Sequence, residues 1–465
     1  MREMSINTPI PFSRTGVFAD LRNSFSLHMP KSRSSAATLI FFLVIAVTIT
    51  FLQKFSIFID LAPIGVALTV GSIEVPLPIF YLAFVVLAFF APLKLDLWRL
   101  ALFSLFTLTV IVSTALQSSS YSVNSVLLLF AIYMPFIFYL DVKEETYRRM
   151  ISIFLNMMLV VGLITVLQHV SQIIWSYRVW PDLDKIVPQN FLMQDFVYIQ
   201  PLKYASRLMK PNAVFFLEVS ALSQWLAIAL ALELVFFARV WRMAFYASVL
   251  LSCFAGTGLL LLVIAGPVLL GRLSVRTMSV VFLVALIAMV VAIKIHWYDT
   301  VNSRFTEYSK TGASANFRFV APIQVMLSEL DKPGFFFSGE GAGSISKTEG
   351  NVWWVVAKIA YEYGIVPMLS FSAYLLYVLF KGAPSKRMAF TYAVLMNFMG
   401  GFIIPAWPLL IFLLGGMFRI KESRRTSGRG RDGRSKKRRA PEDYLQGAGS
   451  ASFESAATNF TEAHP

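Results

Sequence analysis

Two arginines, Arg207 and Arg318, each stand beside an apolar stretch of the chain. The planar guanidinium holds phosphate oxygens two at a time and keeps its charge at a lipid surface, so a pair of them has the chemistry to clamp a diphosphate. Headgroup anchoring by snorkelling side chains is the competing account. Lys203 and Lys210 flank Arg207 in "PLKYASRLMKPN", and Arg318 lies in "GASANFRFVAPIQVML", whose pattern predicts an amphipathic helix that Arg318 opens. Three carboxylates accompany these cations. Glu218 sits about two turns inside an expected helix, where an ionised carboxylate costs about 2 to 3 kcal/mol unless partnered. It is either a salt-bridge partner for a loop cation or a proton-transfer group. Glu340 and Glu349 flank the Gly-rich turn within "GEGAGSISKTEG". Its Gly339, Gly341 and Gly343 lack the preceding strand and the spacing of a dinucleotide loop, leaving a tight turn or a nest of N–H groups that admits an anion. Asn351 with Trp353 and Trp354 is expected to begin an interfacial helix. "PDLDK" (181–185) reads as a turn. His169 and His296 are far apart in sequence, and no metal-ligand spacing exists, so neither metal nor cofactor is expected.

The elements that position these groups follow from composition. Of 465 residues, 57% are hydrophobic and only 14% charged, with a mean hydropathy of +0.66, which excludes an ordinary soluble domain. About twelve segments are apolar enough to span a bilayer: 37–58, 75–93, 98–116, 123–140, 150–173, 213–237, 243–254, 257–270, 278–295, 364–380, 388–403 and 408–419. The pair 243–254 and 257–270 is short, and a single long helix is the alternative. Every second connection is basic: Lys94 and Arg99, then Lys143, Arg148 and Arg149, then Arg239 and Arg242, Arg272 and Arg276, and Lys381, Lys386 and Arg387. Retained positive charge marks the cytoplasmic side, so both termini are expected there. "QSSSYS" (117–122) and "AGTG" (255–258) are short turns on the far side, together with two large outer loops, 175–212 and 296–363. The expected fold is therefore all-α: a polytopic integral membrane helix bundle over 37–419, after a cytoplasmic segment 1–36. The tail 420–465 reads as disordered and cytoplasmic. Eleven Lys and Arg against two acidic residues over 419–439 suit anionic lipid rather than nucleic acid. One cysteine, Cys253, excludes an internal disulfide. The first apolar run is too long for a cleavable leader.

The order of these features resembles the superfamily of O-antigen ligases and Wzy-type polysaccharide polymerases. The residues that carry the likeness are an arginine ahead of "PNAVFFLE", then "LLSCFAGTGLLLLVIAG" (250–266), "NFRF", a Gly-rich turn and "YEYGIV" (361–366). The resemblance covers roughly 37–419 and implies joining of undecaprenyl-diphosphate-linked oligosaccharides on the periplasmic face of a bacterial inner membrane. Membrane lipids, a flippase and chain-length or export proteins are the implied surroundings. Arg207 and Arg318 would hold the donor diphosphate, with Lys203, Lys210, Asn316, Gly341, Gly343 and Asn351 as substrate contacts. "TEGNVWW" carries no histidine where ligases have a His-Asn pair, and "SCFAGTG" no arginine where the family often has one. The first departure favours a polymerase, of exopolysaccharide or O-antigen, over a ligase. It also moves the base to Glu349, Glu340 or Glu218. A lipid-linked oligosaccharide flippase or transporter is the alternative from another class.

Overall fold

The computed structural model describes residues 34–60, 74–91, 93–117, 121–176, 179–193, 198–202, 207–270, 316, 320–332, 334–347, 353–399 and 406–420. Helix dominates them, with little sheet. The first apolar segment is α1, Ser34–Phe51. Its expected continuation instead becomes β1, Ser56–Asp60, paired antiparallel with β2, Glu74–Pro78. Pro78, fixed near its preferred φ at −61°, starts α2, Ile79–Phe90. β3, Lys94–Leu95, precedes α3, Leu97–Leu116, whose first amides Trp98 and Arg99 are capped by the Asp96 carboxylate. Next comes α4, Val123–Tyr133. Pro135 lacks the N–H needed to continue it, so the segment tightens into a 3-10 turn, Met134–Ile137, and leaves as β4, Phe138–Val142.

The long α5, Glu144–Ile174, is followed by the short α6, Leu183–Ile186, and by α7, Val219–Phe236. The 243–270 stretch is two helices: α8, Val240–Ser252, and α9, Gly256–Leu270, are separated by a turn around the buried Cys253. Gly258 lets α9 approach α7 closely, since a Cβ there would stand 2.2 Å from the Ser223 carbonyl oxygen. Then come α10, Ala321–Glu329, α11, Phe335–Ser338, α12, Val355–Tyr363, α13, Ile365–Gly382, and α14, Lys386–Phe398. The last apolar segment is α15, Ala406–Ile411, widening into a π-turn, Phe412–Gly416, and closing on β5, Phe418–Ile420. The expected span 278–295 lies outside the described residues.

Among the described residues, four helices, α3, α5, α7 and α13, are long and apolar enough to cross a membrane, and shorter apolar helices accompany them. On α3 the exposed Leu105, Leu108, Ile111 and Val112 are as apolar as the buried Phe106 and Val110. A helix facing water would be polar on its outer side. Inward, Thr109, Ser113 and Gln117 form a polar stripe at four-residue spacing. They bond Ser370 at 2.8 Å, the Tyr363 carbonyl at 2.6 Å and the Ser338 carbonyl at 2.5 Å respectively.

The connections sort to two ends. At one end β4 pairs antiparallel with β3 and parallel with β5, bringing together Lys94, Asp141 and Arg419, with Lys94 on Asp141 at 2.7 Å. At the other end the Ser122 amide donates to the Ala342 carbonyl at 2.8 Å, and Thr257 of the 255–258 turn lies 3.0 Å from Ser223. The basic connections described at 94–99, 143 and 419 thus share an end that the turns at 117–122 and 255–258 do not.

Arg99 ties the basic end together. It is almost wholly buried, and its guanidinium donates to the carbonyls of Phe136 (3.3 Å), Phe138 (2.9 Å), Val378 (3.4 Å) and Gly416 (2.9 Å). Gly382 permits this meeting, because a Cβ there would lie 2.4 Å from the Gly416 oxygen. Arg99→Lys keeps the charge but cannot reach four carbonyls. It is expected to cost about 2 kcal/mol or more, read as a lower thermal midpoint of the detergent-solubilised protein.

Candidate functional site

The cations around Arg207 lie on a hairpin. Leu202 donates to the Leu208 carbonyl and Lys210 to that of Gln200, both at 2.8 Å, with Pro201 bridged to Met209. Arg207 is exposed near its tip and Lys210 is half-buried at its base. Lys203 lies outside the described residues. The base hangs from the end of α5. Gln172 accepts from the Met209 amide at 2.7 Å, and one turn earlier the buried Gln168 accepts from the Ala213 amide at 2.7 Å and donates to Asn212 at 3.2 Å. Asn212 accepts from the Val214 amide at 3.0 Å and donates to the Tyr198 carbonyl at 3.0 Å, while the Tyr198 hydroxyl donates to the Val214 carbonyl at 2.5 Å.

These bonds hold an uncommon backbone. Ala213 and Val214 have φ of 51° and 67°, the left-handed region in which a β-branched residue is an outlier. Each such residue costs on the order of 1 to 3 kcal/mol and persists only where its surroundings enforce it.

That turn corrects the placement of Glu218. It was expected about two turns inside a helix starting near 213; in the structure α7 begins at Val219, and Glu218 is its extended N-cap residue. Residues 213–218 are spent on the turn and on irregular chain. Glu218 is half-buried and accepts from the Ser220 hydroxyl, at a helix N-terminus that favours negative charge.

The hairpin has a further support that charge patterning missed. Lys54, just past α1 and 1% exposed, pairs with Asp184 at 2.5 Å, and its ammonium lies 3.4 Å from the centroid of the Tyr198 ring. Burial lowers the Lys54 pKa, and Asp184 opposes that shift. "PDLDK" is thus one turn of helix with a partnered carboxylate rather than a simple turn. The sign of Lys54's importance was available: it is the lone charge between residues 37 and 58.

In the second loop, Gly339, Gly341 and Gly343 have φ of 60°, 107° and 77°. The Glu340 and Gly341 amides donate to the Tyr361 and Glu362 carbonyls at the end of α12, at 2.8 and 3.0 Å. The Gly343 amide donates to the Glu362 carboxylate at 3.1 Å. The anion this turn holds therefore comes from its own chain. Glu362 is fully buried, 3.4 Å from Lys358, and its Oε2 has no hydrogen-bond partner among the described residues. Burial raises its pKa, with Lys358 and the Gly343 amide opposing.

Glu340 pairs with Lys332 at 3.1 Å, and Lys332 pairs also with Glu329. Burial pushes Glu340 up, but its bonds with Glu329 and Lys332 win and hold it below the usual carboxylate range. That is opposite to the tuning a general base needs near neutrality. Asn316 is buried. Arg318, Glu349 and Asn351 lie outside the described residues; the interfacial helix expected from Asn351 begins at Val355, as α12. The structure therefore joins Arg207, Lys210 and the start of α7 in one anchored segment, and Gly341, Gly343 and Glu340 in another.

Glu362 provides a titration. Because its folded pKa is raised, its ionisation opposes folding: stability is greatest below the unfolded value near 4.3 and declines as pH rises towards the folded value. The thermal midpoint of the wild type is expected to fall relative to Glu362→Gln as pH increases from about 4. No protein-family model, curated protein or solved structure matches the chain.

Proposed function

We propose that the chain is a membrane glycosyltransferase that polymerises lipid-linked oligosaccharide units. The donor is carried on undecaprenyl diphosphate, and the bundle has about twelve transmembrane helices. The observation that carries this reading is the cationic hairpin at the non-basic end of an apolar bundle, held by buried amides on a strained turn. An apolar exterior suits a long isoprenoid, and the exposed Arg207 with Lys210 suits its doubly negative head. The basic connections then face the cytoplasm, with both termini, and the two loops face the periplasm of a bacterial inner membrane. A flippase and chain-length or export proteins are natural partners.

In the transfer, a hydroxyl of the acceptor sugar attacks the anomeric carbon with inversion. The bond from that carbon to the diphosphate oxygen breaks, the diphosphate leaves with the electron pair, and a carboxylate takes the hydroxyl proton. Arg207, with Arg318 from the second loop, stabilises charge on the leaving diphosphate. Glu218 follows the hairpin in the chain and stands at the start of α7, so it joins Glu349 as a candidate acceptor of the proton, ahead of Glu340, whose ion pairs tune it the wrong way.

Deleting the gene is expected to leave single lipid-linked repeat units on the outer leaflet, measured by extraction and mass spectrometry. Units held inside would indicate a flippase, and finished but unattached chains a ligase; either sinks the proposal. Arg207→Ala, at wild-type membrane levels, is expected to lower polymer formation roughly a hundred- to thousandfold.

A further inference from the structure

We propose that Lys54 is a positioning residue for the cationic hairpin, and that the strained Ala213–Val214 turn is the part through which it acts. The inference rests on the reading of that hairpin as a diphosphate site. Lys54 is linked to both arms of the hairpin through Tyr198. Its ammonium covers the Tyr198 ring, at the head of the outgoing arm, while the Tyr198 carbonyl and hydroxyl bind Asn212 and Val214, just after the returning arm. Its own carbonyl accepts from the Met193 amide at 2.8 Å, and Phe55 beside it bridges Leu192, so the first loop is docked on the end of α1.

The strain gives this docking a purpose beyond covering apolar surface. A turn needed only for connection is made most cheaply with glycine or asparagine where φ is positive. Here Ala213 and Val214 occupy those positions; three hydrogen bonds, from Gln168, Asn212 and Tyr198, hold them, and two more brace Asn212 against Gln168 and Tyr198. Such over-determined backbone fixes direction. The direction fixed is that of the chain between Met209 and Glu218, which carries Lys210 and sets the base from which Arg207 projects. The Lys54 side chain is buried, whereas its partner Asp184 keeps 39% side-chain exposure. Removing the lysine therefore leaves a carboxylate that water can solvate, so the fold is expected to survive Lys54→Met.

The test measures binding of farnesyl diphosphate, a short polyprenyl diphosphate, to the purified full chain in detergent, beside thermal midpoints. Lys54→Met is expected to weaken binding about tenfold or more, as the loss of a prepaid orientation does. Val214→Gly relieves the strain, so its midpoint should hold or rise while its binding weakens by a similar factor. Tyr198→Phe keeps the ring and loses the bond to Val214, and should lie between. Lys54→Met combined with Arg207→Ala should bind no more weakly than Arg207→Ala alone, since both act on one contact.

Wild-type affinity in Val214→Gly and Lys54→Met, or additive losses in the double variant, overturns the positioning role and leaves the diphosphate site standing. Failure of the wild type to bind farnesyl diphosphate removes the site, and this inference with it. If Lys54→Met aggregates, Val214→Gly decides alone: a more stable protein with undiminished binding rejects the proposal.

Discussion

Three backbone carbonyls from irregular or strand segments, and a fourth from inside α13, meet one guanidinium at Arg99. Those of Phe136 and Phe138 are freed where Pro135 breaks the chain out of α4, and that of Gly416 belongs to the π-turn; with Val378 they enclose the side chain. Away from water each orphan carbonyl would carry a desolvation penalty, and only arginine has enough donors in one plane to serve them together. The two irregular elements that lead into β4 and β5 can therefore stay irregular. The sheet of β3, β4 and β5, with the Lys94–Asp141 pair at its edge, then closes the same end with backbone pairing.

The opposite end is joined by different means. Side chains near helix ends reach towards loops: Gln168 and Gln172 from α5, Ser113 and Gln117 from α3, and the Glu362 carboxylate from α12. Each is one side chain taking up loop N–H or C=O groups that lie beyond regular structure. Both loops use backbone at positive φ, but at different cost. The second loop uses glycine, for which the geometry is inexpensive, and the first uses Ala213 and Val214, for which it is not.

Much of this was legible and some was not, for reasons that differ by residue. Hydropathy found the apolar segments, and alternating charge placed Lys94, Lys143 and Arg419 on one side, because both signals are local. Helix ends inside those segments were missed although Pro78 and Pro135 were visible, since apolar content hides the change from helix to strand. The pairing of β4 with β5 joins residues far apart in the chain, and nothing local announces it. Glu218 was misplaced because hydropathy is blind to the sign of φ at Ala213 and Val214. Glu362 lies within "YEYGIV", yet its filling of the glycine turn depends on two segments meeting. Arg318 and Glu349 rest on sequence reasoning alone.

The unequal joining of the two ends has a mechanical consequence. Strand pairing and a shared guanidinium bind the basic end through several backbone groups at once. The loop-bearing end is held by separate side-chain contacts, each of which can break without the next. Local opening at the loops therefore leaves the register of β3, β4 and β5 intact.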